Sequence, residues 1–579
     1  MKIVLVAVTP AEHAIGTPGA PNRDFAFSSY NYAIGLLKAC ALDDPAARQR
    51  VEISLRDLPV SRTYDALSPA QLQDILAEEP DVVGLSCYCW SLDVLLDAAA
   101  ALKKQRPRLV VLAGGPSVSF DATRALSRSD ALDIVVRGEG EDAFVELCRR
   151  GFARPWEVPN VTCRDAQGQV VGHPDEGIIE DLARLPSPYL TGALQPQAPT
   201  LLLEPSRGCR FRCAFCAWST RRGGMRHASP KRIGAELRWA IDHGYQGVNF
   251  CDTAINHDTE SLRALCDLLA RHDPERKLSL SLFVRHERLD QEQIDLLAGL
   301  RCDEIILGFE STNPAALKAC GKAPLDRAAF ESRLQALQQA GHRVTLSIMS
   351  GLPGDTVDGF RATLDYLEGL MARFPECINF VCCFWLAVLP GTRFSAMAQE
   401  RGFETLQRGT PYLMSSRELG SEELIQMARV LVERVHRNPR FRCEEIHREV
   451  AASGRIDQAA RRPLSVSQVA GHAGTLDEFA ALLSPWKAGE RRGIWELVDL
   501  CAAPAGEGLV TYRFRAAAGQ GEAYVTLSAL DPSRPCFART RGYNVYYRSE
   551  HEVGLAQGSV ARLASVVARL ITGNERQDA

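Results

Sequence analysis

At 579 residues the chain is too long for one ordinary core, and usual domain sizes divide it into about three or four. A hydrophobic share of 46% and a charged share of 24% are those of a globular protein without low-complexity tracts. A net charge of −4 and a pI near 6.3 provide no basic surface for a nucleic-acid partner, and short arginine groups such as Arg221, Arg222 and Arg226 read as solvated loops. The first residues, Met1 to Val6, run straight into a strand-like pattern with no signal-peptide layout, and no apolar run approaches the ~20 residues of a membrane span. The expectation is a cytoplasmic protein with no membrane partner. In that compartment the 18 cysteines are expected to be reduced thiols or metal ligands, most of them buried as small apolar residues.

The expected fold class is α/β. Over residues 1–152, apolar runs at 2–8, 51–58, 81–88, 109–115 and 134–140 alternate with helical stretches, the pattern of a doubly wound, Rossmann-like parallel sheet covered on both faces. Ligands of such sheets sit beyond the carboxyl ends of the strands. Those ends carry Thr9 and Pro10, Ser86 and Cys87, Gly114 and Gly115, and Gly138, Glu139 and Gly140. Glycine there lets backbone approach something bulky, although plain tight turns account for any one of them.

Residues 153–197, with Leu185–Pro186–Ser187–Pro188, read as a linker. A second series, 198–400, has strand-like runs at 200–204, 247–251, 278–283, 304–309, 343–349 and 378–386, which predicts a partial (β/α)6 barrel with its functional groups at the strand carboxyl ends. Residues 401–455 read as a helical extension with Leu424, Met427, Leu431 and Val435 at core spacing. The last stretch, 456–579, reads as a small α+β domain with strands near 510–515, 523–527 and 543–548 and a closing helix near 559–571. Its aromatics Trp486, Trp495, Tyr543, Tyr546 and Tyr547 either line a pocket or, at strand spacing, form core. Cys382 and Cys383 read as packing.

The decisive segment is Arg207-Gly208-Cys209-Arg210-Phe211-Arg212-Cys213-Ala214-Phe215-Cys216, a C-x3-C-x2-C triplet just after the first barrel strand. Three thiolates holding a four-iron cluster leave one iron open to a small chelating molecule. Zinc is the structural alternative, but zinc sites of this kind recruit a histidine, and the nearest downstream, His227, lies well outside the triplet.

With an aromatic residue just before its last cysteine, the triplet resembles the signature of radical S-adenosylmethionine enzymes. The resemblance implies a [4Fe–4S] cluster on Cys209, Cys213 and Cys216, S-adenosylmethionine chelating the open iron, and one-electron cleavage to a 5′-deoxyadenosyl radical. Ile306 to Ser311 looks like the family's fourth-strand motif, in which Glu310 would contact the cofactor; the other reading is a strand-end carboxylate paired with an arginine. Ser347 to Gly354 resembles the fifth-strand segment and Leu389 to Thr392 the turn after the sixth, with Asp252 a candidate for the methionine amino group.

A parallel-sheet domain, a crossing and a radical barrel in that order look like the cobalamin-dependent subfamily, a resemblance covering roughly residues 1–455. Ser86 to Trp90, Gly114 to Pro116 and Arg137 to Glu141 are similar to its corrin-contacting loops. The Asp-x-His-x-x-Gly pattern that supplies a cobalt-ligating histidine elsewhere is missing, so Trp90 or a neighbour is expected over the lower face; the alternative is a core aromatic at a helix start.

The subfamily implies a methyltransferase acting on a carbon of a natural-product intermediate or peptide through methylcobalamin and the adenosyl radical, with a flavodoxin or ferredoxin as electron donor. A cyclase or rearrangement enzyme built from the same parts, and polar methylation without a radical, stay open. From another class, a non-catalytic cobalamin sensor or carrier is opposed by the intact triplet. An RNA methylthiotransferase would need a further N-terminal cysteine set and a basic C-terminal module. No general base can be named.

Overall fold

The computed structural model describes residues 1–10, 32–60, 67–165, 167–174, 177–196, 200–220, 224–456, 491–492, 495–502, 509–516, 522–528, 537–540 and 543–545. Its contacts divide the chain into two units, Met1–Pro59 with Ile75–Ile456, and Val60–Asp74 with Asp457–Ala579.

In the first unit, β1 (Lys2–Pro10), β2 (Glu52–Val60), β3 (Val82–Ser86), β4 (Val110–Gly114), β5 (Ile134–Val136), β6 (Val161–Arg164) and β7 (Val170–Gly172) form one sheet in the order β2-β1-β3-β4-β5-β6-β7. The β1–β3, β3–β4 and β4–β5 ladders are parallel. Ile3 to Val8 and Val82 to Ser86 are buried along their whole length, as continuous Val/Ile/Leu strands covered on both faces must be. The helix Leu92–Gln105 follows β3, burying Val94, Leu95, Ala98, Ala99 and Leu102 on one side and carrying Lys103 and Lys104 where the helix dipole favours cations.

Two strands depart from the sequence expectation. β6 pairs antiparallel with β5, and β7 antiparallel with β6. Both fall within 153–197, where the sequence predicts a linker; runs of four and three residues are too short to carry a pattern of their own, and they become strands because β5 offers an edge.

The second sheet begins with β8 (Thr200–Leu203). The chain then makes a two-stranded ribbon from β9 (Ser206–Arg207) and β10 (Arg226–His227) before β11 (Gly247–Phe250), β12 (Ser279–Val284), β13 (Cys302–Glu310), β14 (Val344–Ser350) and β15 (Ile378–Trp385). A small hairpin, β16 (Glu404–Thr405) with β17 (Leu413–Ser415), precedes β18 (Phe441–Cys443). The sheet order is β18-β15-β14-β13-β12-β11-β8, every ladder parallel. The six expected strands are present, and β18 adds a seventh from the stretch read as purely helical. The helix Ser421–Arg437 buries Leu424, Met427 and Leu431. Side-chain caps start several connecting helices; Asp258 accepts from Ser261 N–H and Asp290 from Gln293 N–H, each worth about 1 kcal/mol.

One hydrophobic core joins the two sheets' surroundings. Tyr32, Leu36, Ile179 and Tyr189 belong to the same buried cluster as the barrel residues Leu201, Leu237 and Val248, and the Tyr189 ring stacks on Trp239 with centroids 5.5 Å apart.

The second unit contains β19 (Arg491–Arg492), β20 (Trp495–Ala502), β21 (Leu509–Ala516), β22 (Glu522–Ser528), β23 (Phe537–Thr540) and β24 (Tyr543–Val545), an antiparallel meander in sequence order. Trp495 and Tyr543 lie on β20 and β24. Trp486, Tyr546, Tyr547 and the helix expected near 559–571 lie outside the described residues. Among the described residues no helix is long and apolar enough to cross a membrane.

Candidate functional site

The cysteine triplet sits on the loop between β9 and β10, at the carboxyl end of β8. The ribbon pinches this loop shut: Arg226 pairs with Arg207 and His227 with Ser206. At its entrance Gly208 has φ +105°, and a Cβ there would meet the Gly224 carbonyl oxygen at 2.6 Å, so only glycine closes the loop. Within it, the Phe211 N–H donates to Cys209 Sγ at 3.4 Å. Ala214 N–H donates to the Cys320 carbonyl at 2.9 Å, and Phe394 N–H to the Ala214 carbonyl at 3.0 Å, docking the loop against later parts of the barrel.

The neighbouring strand ends surround the loop. After β11, Asp252 is buried and accepts from Ser206 Oγ; burial pushes its carboxyl up to about 7 against that hydrogen bond. Thr253 Oγ1 donates to the Gly208 carbonyl at 3.2 Å. After β12, Arg285 NH1 donates to Cys213 Sγ at 3.2 Å. At the end of β13, Glu310 has φ +66° after a register shift in the β13–β14 ladder, and Lys322 Nζ donates to its Oε1 at 2.8 Å and to the Gly308 carbonyl at 2.6 Å. The partner of Glu310 is thus a lysine rather than an arginine. Ser347 is half-buried inside β14, its Cα partners being Gly308 and Cys382. Cys382 and Cys383 are buried in β15.

On the other sheet, Thr9 and Pro10 end β1, and Ser86 and Cys87 close β3. Ser91 fixes the loop that follows: its Oγ donates to the Ser86 carbonyl at 3.1 Å and accepts from Tyr88 N–H at 3.0 Å. Trp90 is half-buried and lies flat on Tyr88, ring centroids 4.6 Å apart and planes within 6°. Gly115 has φ +106°, and a Cβ there would meet the Cys87 carbonyl oxygen at 2.6 Å. Around Gly138 a Cβ would find nothing within 4 Å, and at Gly114 only the Val136 carbonyl at 3.9 Å. Gly140 starts the helix Glu141–Arg149.

Glu139 behaves differently from its neighbours. Its oxygens accept from Arg226 NH1 and NH2, both at 2.8 Å, and from Ile179 N–H at 2.7 Å. Burial raises its carboxyl, but these donors and the nearby Arg207 outweigh it and leave it lowered. Arg207 lies in turn against Glu141 at 2.5 Å and Glu204 at 2.8 Å. The side chain of Glu139 is therefore committed to the ribbon of the cysteine loop, and Arg226, read from sequence as solvated, is buried.

Sequence reasoning missed Arg285, Lys322 and a third group, Glu444, just beyond β18. Glu444 Oε2 accepts from Trp385 N–H at 2.6 Å and Oε1 from Tyr412 OH at 3.0 Å; burial pushes its carboxyl up to about 7. Cys89, on the loop after β3, has its thiol raised to about 11, by burial first, with Glu444 adding to it. No local pattern marks these residues; strand-end position was a signal for Arg285 alone, since Lys322 follows a helix and β18 had no pattern of its own.

The donor set suits an iron–sulfur cluster: three thiols on one loop held by its own ribbon, with a cation already directed at one sulfur. Among the described residues no group of three or more His, Cys, Asp or Glu gathers around a single metal ion, so the fit rests on this thiol chemistry. On the N-terminal sheet, bare glycine backbone at the ends of β4 and β5 beside the flat Tyr88–Trp90 stack suits a large planar ligand.

Residues 203–367 match the Radical SAM superfamily, and residues 35–148 match the B12 binding domain. The chain is 32% identical over 258 residues to 2-(S-pantetheinyl)-carbapenam-3-carboxylate methyltransferase from Streptantibioticus cattleyicolor, covering 41% of this chain and 36% of that one. It is 26% identical over 332 residues to the cobalamin-dependent radical SAM methyltransferase TokK from Streptomyces tokunonensis, covering 53% and 48%. The chain thus spans about half or less of the length of these curated relatives. Among solved structures, the cobalamin-dependent S-adenosylmethionine radical enzyme OxsB with aqua-cobalamin bound superimposes with a TM-score of 0.55 at 15% identity, over 76% of this chain and 67% of that one, a likeness of fold.

Proposed function

Because the chain belongs to the cobalamin-dependent radical S-adenosylmethionine enzymes, with a [4Fe–4S] cluster, S-adenosylmethionine and cobalamin as cofactors, we propose that it methylates a carbon centre of a natural-product intermediate or a peptide. The observation that carries this reading is the placement of two sets of strand ends in one unit: the cysteine loop of the barrel, and the glycine-bearing ends of β4 and β5, bridged by Glu139 and Arg226. When bound, the cluster and S-adenosylmethionine supply radical generation, and cobalamin supplies methyl delivery.

The chain's own residues have positioning tasks. Cys209, Cys213 and Cys216 hold the cluster. Asp252 and Glu310, whose carboxyls are oriented by Ser206 and Lys322, and Ser347 on β14 bind S-adenosylmethionine. Ser86, Cys87, Gly114, Gly115, Gly138 and Gly140, with Thr9 and Pro10 at the end of β1, would hold the corrin, and Trp90, stacked on Tyr88, would shield it from water. In this reading residues 1–152 bind cobalamin, 198–400 form the radical barrel and 456–579 contact the substrate. The protein works in the cytoplasm and takes electrons from a flavodoxin or ferredoxin; its partner is a small molecule or peptide, not a nucleic acid.

The test is anaerobic reconstitution with iron, sulfide and hydroxocobalamin, followed by assay against candidate acceptors. About four iron and one cobalt per chain, with a product heavier by one methyl and S-adenosylhomocysteine and 5′-deoxyadenosine released together, is the expected result. A product of unchanged carbon count would reassign the chain to rearrangement chemistry, and four iron without cobalt would remove cobalamin.

A further inference from the structure

The guanidinium of Arg285 is oriented on every side. Its backbone is clamped by Asn256, whose Oδ1 accepts from Arg285 N–H at 2.8 Å and whose Nδ2 donates to the Arg285 carbonyl at 3.0 Å. Asn256 is itself buried and held by Gln293, Nδ2 to Oε1 at 3.1 Å. The guanidinium engages Glu287 in a forked pair, Nε to Oε2 at 3.2 Å and NH2 to Oε1 at 2.9 Å. Its flat face covers the Phe211 ring at 4.3 Å from the centroid. The edge that remains carries NH1, which donates to Cys213 Sγ at 3.2 Å. A long, entropically expensive side chain is thus fixed by Glu287 and Phe211, on a backbone clamped by Asn256, so that one N–H faces one sulfur.

We infer that Arg285 is a positioning residue that raises the reduction potential of the cluster through its hydrogen bond to the Cys213 sulfur. The inference rests on the assignment of Cys213 as a cluster ligand. In the step concerned, the cluster takes one electron from a low-potential one-electron carrier and passes from the 2+ to the 1+ state, so its negative charge, thiolates included, grows by one. A cation and hydrogen-bond donor at a ligand sulfur stabilises the more negative state and shifts the potential upward. Glu287 works against this by neutralising part of the guanidinium charge. Substitutions at the two positions are therefore expected to move the potential in opposite directions.

The experiment is a redox titration of the reconstituted full-length protein without S-adenosylmethionine, using dithionite and mediator dyes and reading the 1+ cluster by electron paramagnetic resonance, with iron counted per chain. Arg285→Gln is expected to move the midpoint to more negative potential, Arg285→Lys to restore part of it, and Glu287→Gln to move it to more positive potential, with iron content near wild type. An unchanged midpoint in iron-loaded Arg285→Gln overturns the inference. Should Arg285→Gln fail to load iron, Arg285→Lys decides: a midpoint more negative than wild type supports the role of Arg285, and an unchanged midpoint rejects it. Failure of the wild-type chain to take up about four iron is a different result, and defeats the cluster assignment itself.

Discussion

Both carboxylate oxygens of Glu139 meet a separate nitrogen of the Arg226 guanidinium at 2.8 Å, tying the loop after β5 of the N-terminal sheet to the ribbon that closes the cysteine loop. The pair is nearly buried, with side-chain exposures of 12% and 6%.

Removing one member of such a pair strands the other. Arg226→Ala is expected to cost about 3–5 kcal/mol in denaturant unfolding and to lower the iron retained per chain, because the ribbon loses its anchor. Arg226→Met with Glu139→Leu is expected to recover most of the stability. If the single variant unfolds like the wild type, the pair contributes nothing to closing the loop.

Gly115→Ala places a methyl group against the Cys87 carbonyl in a backbone conformation that L-residues avoid. The expected penalty is about 1–3 kcal/mol, and cobalt uptake on reconstitution is expected to fall while iron uptake persists. Equal loss of both metals would mean a global fold defect instead.

Lys322 and Glu310 are 2% and 7% exposed at their side chains. Lys322→Met leaves an unpaired buried carboxylate and is expected to cost about 3–5 kcal/mol, with S-adenosylmethionine binding weakened in equilibrium dialysis. Adding Glu310→Gln is expected to restore stability but not binding. Recovery of full affinity in the double variant would show that the Glu310 carboxylate does not contact the ligand.

Glu444 gives a pH dependence with a definite sign. Its carboxyl titrates near 7 in the folded chain and near 4.5 when unfolded, so between those values the folded state holds more protons. The contribution of Glu444 to stability is expected to fall as pH rises from about 4.5 to about 7, by about 3 kcal/mol, and then to level off. In urea titrations at a series of pH values, Glu444→Gln is expected to remove that share of the slope, so that the stability difference between variant and wild type changes across this window while Asp252 keeps its own share. A variant profile parallel to the wild type would place the titration elsewhere.

The barrel was legible because each of its six first strands is a run of apolar residues repeated at regular spacing, and because Cys209, Cys213 and Cys216 are neighbours in sequence. What escaped was made by distant partners. β6 and β7 are strands only because β5 leaves an edge, and β18 only because β15 does. Glu139 could be placed at a strand end from sequence, but Arg226, 87 residues later, decides which way its carboxylate faces. Lys322 and Arg285 are charges without a motif; they acquire a role from the Glu310 carboxylate and the Cys213 sulfur that the fold brings within 3.2 Å of them.

The alternation of Glu139, Glu141 and Glu204 with Arg207 and Arg226 bears on how this architecture can be taken apart. Produced as two separate polypeptides, the N-terminal piece would present Glu139 and Glu141 without their counter-ions, and the barrel piece would present two arginines left with Glu204. Neither fragment is suited to exist alone. A chimaera that borrows its front half from a relative would inherit this constraint, needing the two acids after β5 to be exchanged together with the two arginines of the ribbon.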